Sequence, residues 1–220
     1  MTVHEQPPAD SFLDRFSPNH RLPVGLLVLN DTTEKESAPS LSEESIASLT
    51  RLLTHEIQNQ HPFRVVQVIE NQHVQTGNPS QLSLLGKQAG VDYLLVAILS
   101  SEEIETPDRL PLQGINQGGA RGSLVGYRAE NFSLAEIAFV DVKNDQSIFQ
   151  SSGQGFATLD RLAVPLESNI YPVVRGAQRQ APIYPEEQHA HDVLRAVSAQ
   201  NAIDQALFHL KRPKAQRLES

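Results

Sequence analysis

The chain has 220 residues, 18 Lys and Arg against 26 Asp and Glu for a formal charge of -8, and neither cysteine nor tryptophan. The missing thiol excludes a disulfide framework, a thiolate metal site, an iron–sulfur cluster and a cysteine nucleophile. The acidic balance removes the electrostatic basis for nonspecific nucleic-acid binding, and the longest apolar run, Val91 to Leu99, is far short of the roughly 20 residues of a membrane helix.

Composition divides the chain into a flexible N-terminal tether over 1–22, which holds Pro7, Pro8 and Pro18, a single α/β domain over 23–210, and a disordered basic tail over 211–220. Leu22 to Leu29, ended by Asn30 and Asp31, reads as a strand buried on both faces. Ser40 with Glu43 is a capping box, and Ile46, Leu49, Leu53 and Ile57 repeat at helical spacing, which predicts a helix from Leu41 to Ile57. Pro62 stops it, and Val-rich Phe63 to Ile69 suits a second strand. Ser80 is the expected N-cap of a second helix with Leu82, Leu85 and Ala89 as its stripe and Gly90 as a left-handed terminator. Val91 to Leu99 then enters a third buried strand, and two strand–helix–strand crossings imply parallel neighbours.

The back half changes character. Residues 102–123, with two prolines and four glycines, read as a loop. Leu124 to Asp141 alternates, Phe132, Leu134, Ile137 and Phe139 against Ser133 and Glu136, and after a turn at Lys143 to Gln146 the stretch Ser147 to Gly155 runs back as the second arm of a long antiparallel hairpin. A second irregular stretch spans 162–185, and Glu186 to Leu210 is a helix with a broad apolar face. The expected fold class is α/β (α+β): a three-layer-like β-α-β-α-β unit, then the hairpin and the C-terminal helix on one mixed sheet.

No group of residues assembles an active site. The glycines from Gly114 to Gly122 lack the Gly-Lys-Ser/Thr of a phosphate loop, and Arg121-Gly122 leads toward a strand instead of a helix. His189, His191, Asp192 and His209 have metal-ligand chemistry, but i and i+2 point about 200° apart on a helix. His55 and His61 are placed to meet the carbonyl end of the first helix. Glu102, Glu103, Glu105 and Asp108 read as a solvated acidic run, and no serine stands in Gly-x-Ser-x-Gly or Ser-x-x-Lys. Asn30-Asp31-Thr32 and Asn131-Phe132-Ser133 match glycosylation sequons in form. Catalytic, cofactor-binding and metal-binding residues are therefore expected to be none, with no cofactor.

The strand Val24 to Leu29, the helix Leu41 to Ile57, the strand Phe63 to Ile69 and the junction Ala89-Gly90-Val91-Asp92-Tyr93 into an apolar strand together resemble a group of bacterial envelope proteins. The group comprises the curli-secretion lipoprotein (CsgG), the lipoprotein activator of penicillin-binding proteins, the TolB N-terminal domain and the rhombotarget lipoproteins. Val140-Asp141-Val142-Lys143-Asn144-Asp145, and Ser152-Gly153-Gln154-Gly155 before a C-terminal helix, are similar to the same group. The resemblance implies a non-enzymatic cell-envelope domain acting by protein–protein interaction in envelope assembly, secretion or cell-wall enzyme regulation. Its partners would be other envelope proteins and a second copy of the chain, with no nucleic acid, and with the membrane only through an N-terminal lipid anchor lost from this chain. Its location would be periplasmic, anchored to the outer membrane if the precursor is lipidated, with a cytoplasmic location as the alternative. The alternative function is a small-molecule binding or hydrolytic domain with a site between 102–123 and 162–185, lined by Arg121, Arg128, Arg175 or the histidines.

Overall fold

The computed structural model describes residues 21–34, 37–70, 79–111, 122–164, 170–176 and 180–211. The expected tether and basic tail thus lie outside the described residues, apart from Arg21, Leu22 and the last helical residue, Lys211. The elements are β1 (Leu22–Asn30), α1 (Glu43–Gln60), β2 (Phe63–Ile69), α2 (Pro79–Gln88), β3 (Tyr93–Pro111), β4 (Ser123–Asp141), β5 (Gln146–Leu162), β6 (Val173–Arg175), a 3-10 turn (Glu187–His189) and α3 (Ala190–Lys211). One mixed sheet holds all six strands in the order β2-β1-β3-β4-β5-β6. β1 pairs parallel with β2 and β3, as the two helical crossovers require, and the remaining pairs are antiparallel.

β1 shows why this end of the molecule has three layers. Val24 and Leu26 pack with Leu53 and Ile57 of α1 and Ala202 and Ile203 of α3, whereas Leu27 and Leu29 pack with Leu82 of α2 on the opposite face. Side chains alternate along a strand, so a strand between two helix layers is apolar at successive positions. On the α1/α3 face, Phe139 stacks between Tyr93 and Phe149 at centroid distances of 5.3 and 5.0 Å, with Phe63 tilted against it at 5.2 Å.

Several local expectations are corrected. α1 is capped by Ser42, whose Oγ accepts from the Ser45 N–H at 3.1 Å, two residues past Ser40. Asp192 of α3 sets that choice, since its carboxylate accepts from the Ser42 N–H at 2.9 Å, the Ser42 hydroxyl at 2.7 Å and the Ser45 hydroxyl at 2.6 Å. α2 starts at Pro79, which places Ser80 inside its first turn instead of at the cap. Gly90 does take the left-handed conformation, with φ +68°. The stretch 162–185 is not wholly irregular, because β6 pairs with β5 and Val174 and Ile183 exchange backbone hydrogen bonds of 2.8 and 2.9 Å.

The larger correction concerns 102–111, which is strand, not loop. β3 continues to Pro111 and pairs residue for residue with β4 from Tyr93↔Asp141 to Pro111↔Ser123. β1 pairs with β3 only as far as Asn30↔Leu99, and Ser37 and Ala38 bridge to Glu102 and Ser101, so past Glu102 the outer side of β3 is an edge among the described residues, and an edge strand tolerates Pro107. β5 likewise runs past Gly155 to Leu162. The result is a three-stranded meander of β3, β4 and β5, each arm of 17 to 19 residues. At about 3.3 Å per residue the arms reach roughly 60 Å, well beyond the cover of β1 and α2.

Parity along β4 differs from the expected grouping as well. Ala129, Ala135, Ile137 and Phe139 are buried on the α3 face together with Asn131 and Ser133, while Phe132 stands on the opposite face and is 47% exposed. A period of two puts 132 and 134 on one face and 137 and 139 on the other.

Candidate functional site

On the α3 face the predicted acidic run is a set of internal ion pairs. Glu103 accepts from His191 Nδ1 at 2.7 Å and from Arg195 Nε at 2.8 Å. Burial pushes the Glu103 carboxyl up, but those two hydrogen bonds and the neighbouring charges outweigh it and hold the carboxyl below the usual carboxylate range. Glu105 takes Arg161 bidentately at 2.7 and 3.1 Å, and that bond draws its carboxyl down too. Arg161 lies 4.8 Å over the Tyr127 ring. The Glu103 contacts fasten the start of α3 to the meander, and those of Arg161 tie β5 to β3 and β4.

On the opposite face Asp160, 2% exposed, accepts from Arg128 Nε at 2.8 Å and from Arg175 at 2.5 Å, and Asp108 adds an ion pair of 3.1 Å to Arg128. Arg128 and Arg175, expected to line a ligand site, are thus committed to Asp160, and Arg121 lies outside the described residues. Between 102–111 and the described part of 162–185 the space is filled by Leu110, Leu162, Tyr171 and Val173, and the Tyr171 hydroxyl donates to the Pro111 carbonyl at 2.7 Å.

The nominated histidines are dispersed. His191 is held by Glu103, His189 lies 3.7 Å from Glu186, and Asp192 serves the α1 cap. His209 Nδ1 is 2.8 Å from the Ser152 carbonyl, and His55 contacts Asn59 and Glu56. At His61 it is the backbone N–H, donating to the Ile57 carbonyl at 3.1 Å, that closes α1. No group of three metal-ligating residues converges among the described residues. The glycine run from Gly114 falls outside the described residues except for Gly122. Both sequons are structurally occupied: Asn131 is fully buried, and the Asn30 amide bridges the Leu99 carbonyl and the Leu41 N–H.

The outer side of the hairpin is not a free edge along β5. Along the outer side of β5, Gln205 Oε1 accepts from the Gln154 N–H at 2.5 Å, Asn201 donates to the Phe156 carbonyl at 3.1 Å, and His209 meets Ser152. Side chains of α3 therefore satisfy backbone groups that an added strand would need.

What the meander leaves open is its face opposite α3. The register sets Glu102, Phe132 and Phe156 in one row across β3, β4 and β5, with Ser100, Leu134 and Gln154 in the next and Ile98, Glu136 and Ser152 in the one after. Phe132 and Phe156 are 47% and 40% exposed, with ring centroids 4.8 Å apart. Ile104, one row further out, is 56% exposed. These rows floor an open depression of about 810 Å³ that Asp31, Glu34 and Ser37 border on one side and Gln205 on the other. Sequence reasoning missed this site because it placed Phe132 with the core; counting the alternation strictly from Phe139 would have found it.

No protein-family model matches the chain, and no curated protein matches it in sequence. Among solved structures, a hypothetical protein from Chlamydia trachomatis is similar at 11% identity and TM-score 0.39, over 86% of this chain and 95% of that one. A homolog of the neuraminyllactose-binding hemagglutinin from Helicobacter pylori is similar at 11% identity and TM-score 0.39, over 91% and 84%. The C-terminal domain of LpoB from Salmonella enterica is similar at 14% identity and TM-score 0.33, over 68% and 93%.

Proposed function

We propose that the chain is a non-enzymatic protein-binding domain of the bacterial cell envelope whose docking surface is the bare sheet face around Phe132 and Phe156. The paired, half-exposed phenylalanines carry this reading: they sit mid-strand on a face that α2 covers at the other end, where Leu82 packs with Leu27, Leu94, Val96 and Val140. Contiguous exposed apolar surface of this kind marks interaction sites on soluble folds. The described charged clusters that might suggest chemistry instead join elements of the fold, Glu103 to α3 and Asp160 to β4 and β6. Envelope location, and a role in assembly, secretion or cell-wall enzyme regulation, rest on the sequence resemblance carried by Ala89-Gly90-Val91-Asp92-Tyr93. With backbone groups of β5 already engaged by α3 side chains, the sheet face, and not a strand added to β5, carries the docking.

The test is a native gel of gently solubilised envelope from cells expressing the full chain or its Phe132→Ser/Phe156→Ser variant. The variant stays folded, since both rings are near half exposed, and loses about 1–2 kcal/mol at most. It migrates as the free chain where the parent migrates in a complex. A folded variant that keeps the parent's complex contradicts the reading.

A further inference from the structure

The depression has a charge as well as an apolar floor. Asp31, Glu34, Glu102 and Glu136 line it, and among the described residues none of its lining is Lys, Arg or His. Glu103, Glu105, Asp108 and Asp160 are paired with cations inside the fold, whereas Glu34, Glu102 and Glu136 have no ion-pair partner among the described residues. The sheet register interleaves the two chemistries, because Glu102 is the direct cross-strand neighbour of Phe132, which is in turn the direct neighbour of Phe156. One row down, Leu134 separates the Phe132 row from the Glu136 row.

Resting on the docking reading above, we infer that the occupant of this face is a cationic, amphipathic segment of a partner protein, with apolar side chains seated on Phe132, Phe156 and Leu134 and its Lys or Arg side chains on Glu102, Glu136 and Glu34. Neighbouring strands lie about 4.8 Å apart, so carboxylate and ring stand close enough for one extended segment of alternating character to engage both. A cation placed there also meets the Phe132 ring, which favours it over a neutral polar group. An acidic or purely apolar segment leaves Glu34, Glu102 and Glu136 either repelled or desolvated without a counter-charge.

The probe is a ten-residue peptide of alternating lysine and leucine, titrated into the isotope-labelled full chain, with a lysine–serine and a glutamate–leucine peptide as controls. The lysine–leucine peptide shifts the signals of Phe132, Leu134 and Phe156, weakens as salt is added, and loses affinity on the order of tenfold in the Glu102→Gln/Glu136→Gln variant. The inference is overturned if the shifts fall elsewhere on this acidic chain, if the glutamine variant binds equally well, or if the lysine–serine peptide binds as tightly. The native gel separates the two readings. Loss of the complex in both the glutamine and the serine variants supports both. Loss in the serine variant alone leaves docking standing and overturns the cationic occupant. Retention in both overturns docking and this inference with it.

Discussion

Gly155 lies so close beneath α3 that a Cβ added to it would stand 1.9 Å from the Ser198 carbonyl oxygen and 2.6 Å from the Ala202 nitrogen. Gly153 repeats the relation one step along, where a Cβ would meet the Ala202 oxygen and the Ala206 nitrogen at 2.3 Å. Two strand residues advance about 6.6 Å and four helix residues about 6.0 Å, so Gly155 and Gly153 on β5 stay in step with Ser198, Ala202 and Ala206 on α3. The clash is with backbone, which no side-chain rotation relieves. Gly155→Ala therefore destabilises the fold by about 3 kcal/mol, the upper end of overpacking costs, as read by urea unfolding. An equal midpoint for parent and variant would show that α3 does not seat as described.

Asp160 holds two guanidinium groups at once. Removing it in Asp160→Ala leaves Arg128 with only Asp108 and Arg175 without this acceptor, each side chain 39% exposed. That exposure lets water recover part of the loss, so the expected cost is about 2–3 kcal/mol, below the 3–5 kcal/mol of a fully buried pair. Thermal unfolding of the full chain checks it, and Asp160→Asn, which keeps the shape but not the charge, recovers part of the difference.

The Glu103 carboxyl is lowered in the folded chain, and that of Asp192 is lowered as well by the Ser45 and Ser42 hydroxyls against the opposing effect of burial. A carboxylate with a depressed folded pKa stabilises the fold above its unfolded pKa of about 4, and the stabilisation is lost as pH falls through the folded value. Glu103→Gln thus costs about 1–2 kcal/mol at neutral pH, where Arg195 and His191 lose their acceptor charge. As pH falls through the folded value and the parent's Glu103 is itself protonated, the two unfolding curves converge. A gap that persists unchanged into acid would assign the loss to shape instead of charge.

Much of the first half was legible because its signals are local. Phe63 to Ile69 occurs as a strand with the expected bounds, ended on one side by Pro62, and Gly90 terminates α2 as its position implied. The cap of α1 was misplaced by two residues because Ser42 is selected by Asp192, 150 positions away, which local spacing does not register. The strand over 102–111 was hidden by its own composition: Pro107 and four acids within seven residues read as loop until β4 supplies a partner for each position, Arg161 and Arg195 supply counter-charges and His191 a hydrogen bond. The docking face was present in the sequence as the alternation of β4, but Ser133 and Asn131 point inward there. The Ser133 hydroxyl donates to the Asn131 side-chain oxygen at 3.0 Å, and the Ser198 hydroxyl to the Asn131 carbonyl at 3.1 Å. Buried polar residues on the core side and a phenylalanine on the outer side invert the usual pattern.

The most direct measurement of docking at the Phe132 face is site-specific photocrosslinking in living cells, with the crosslinking residue at position 132 and, as a control of equal exposure on α3, at position 208. A crosslink from 132 to one discrete protein partner, absent from 208 and suppressed when Phe156 is changed to Ser, is the predicted result. Equal adducts from both positions, or none from 132 in a chain that is folded and correctly expressed, would contradict it.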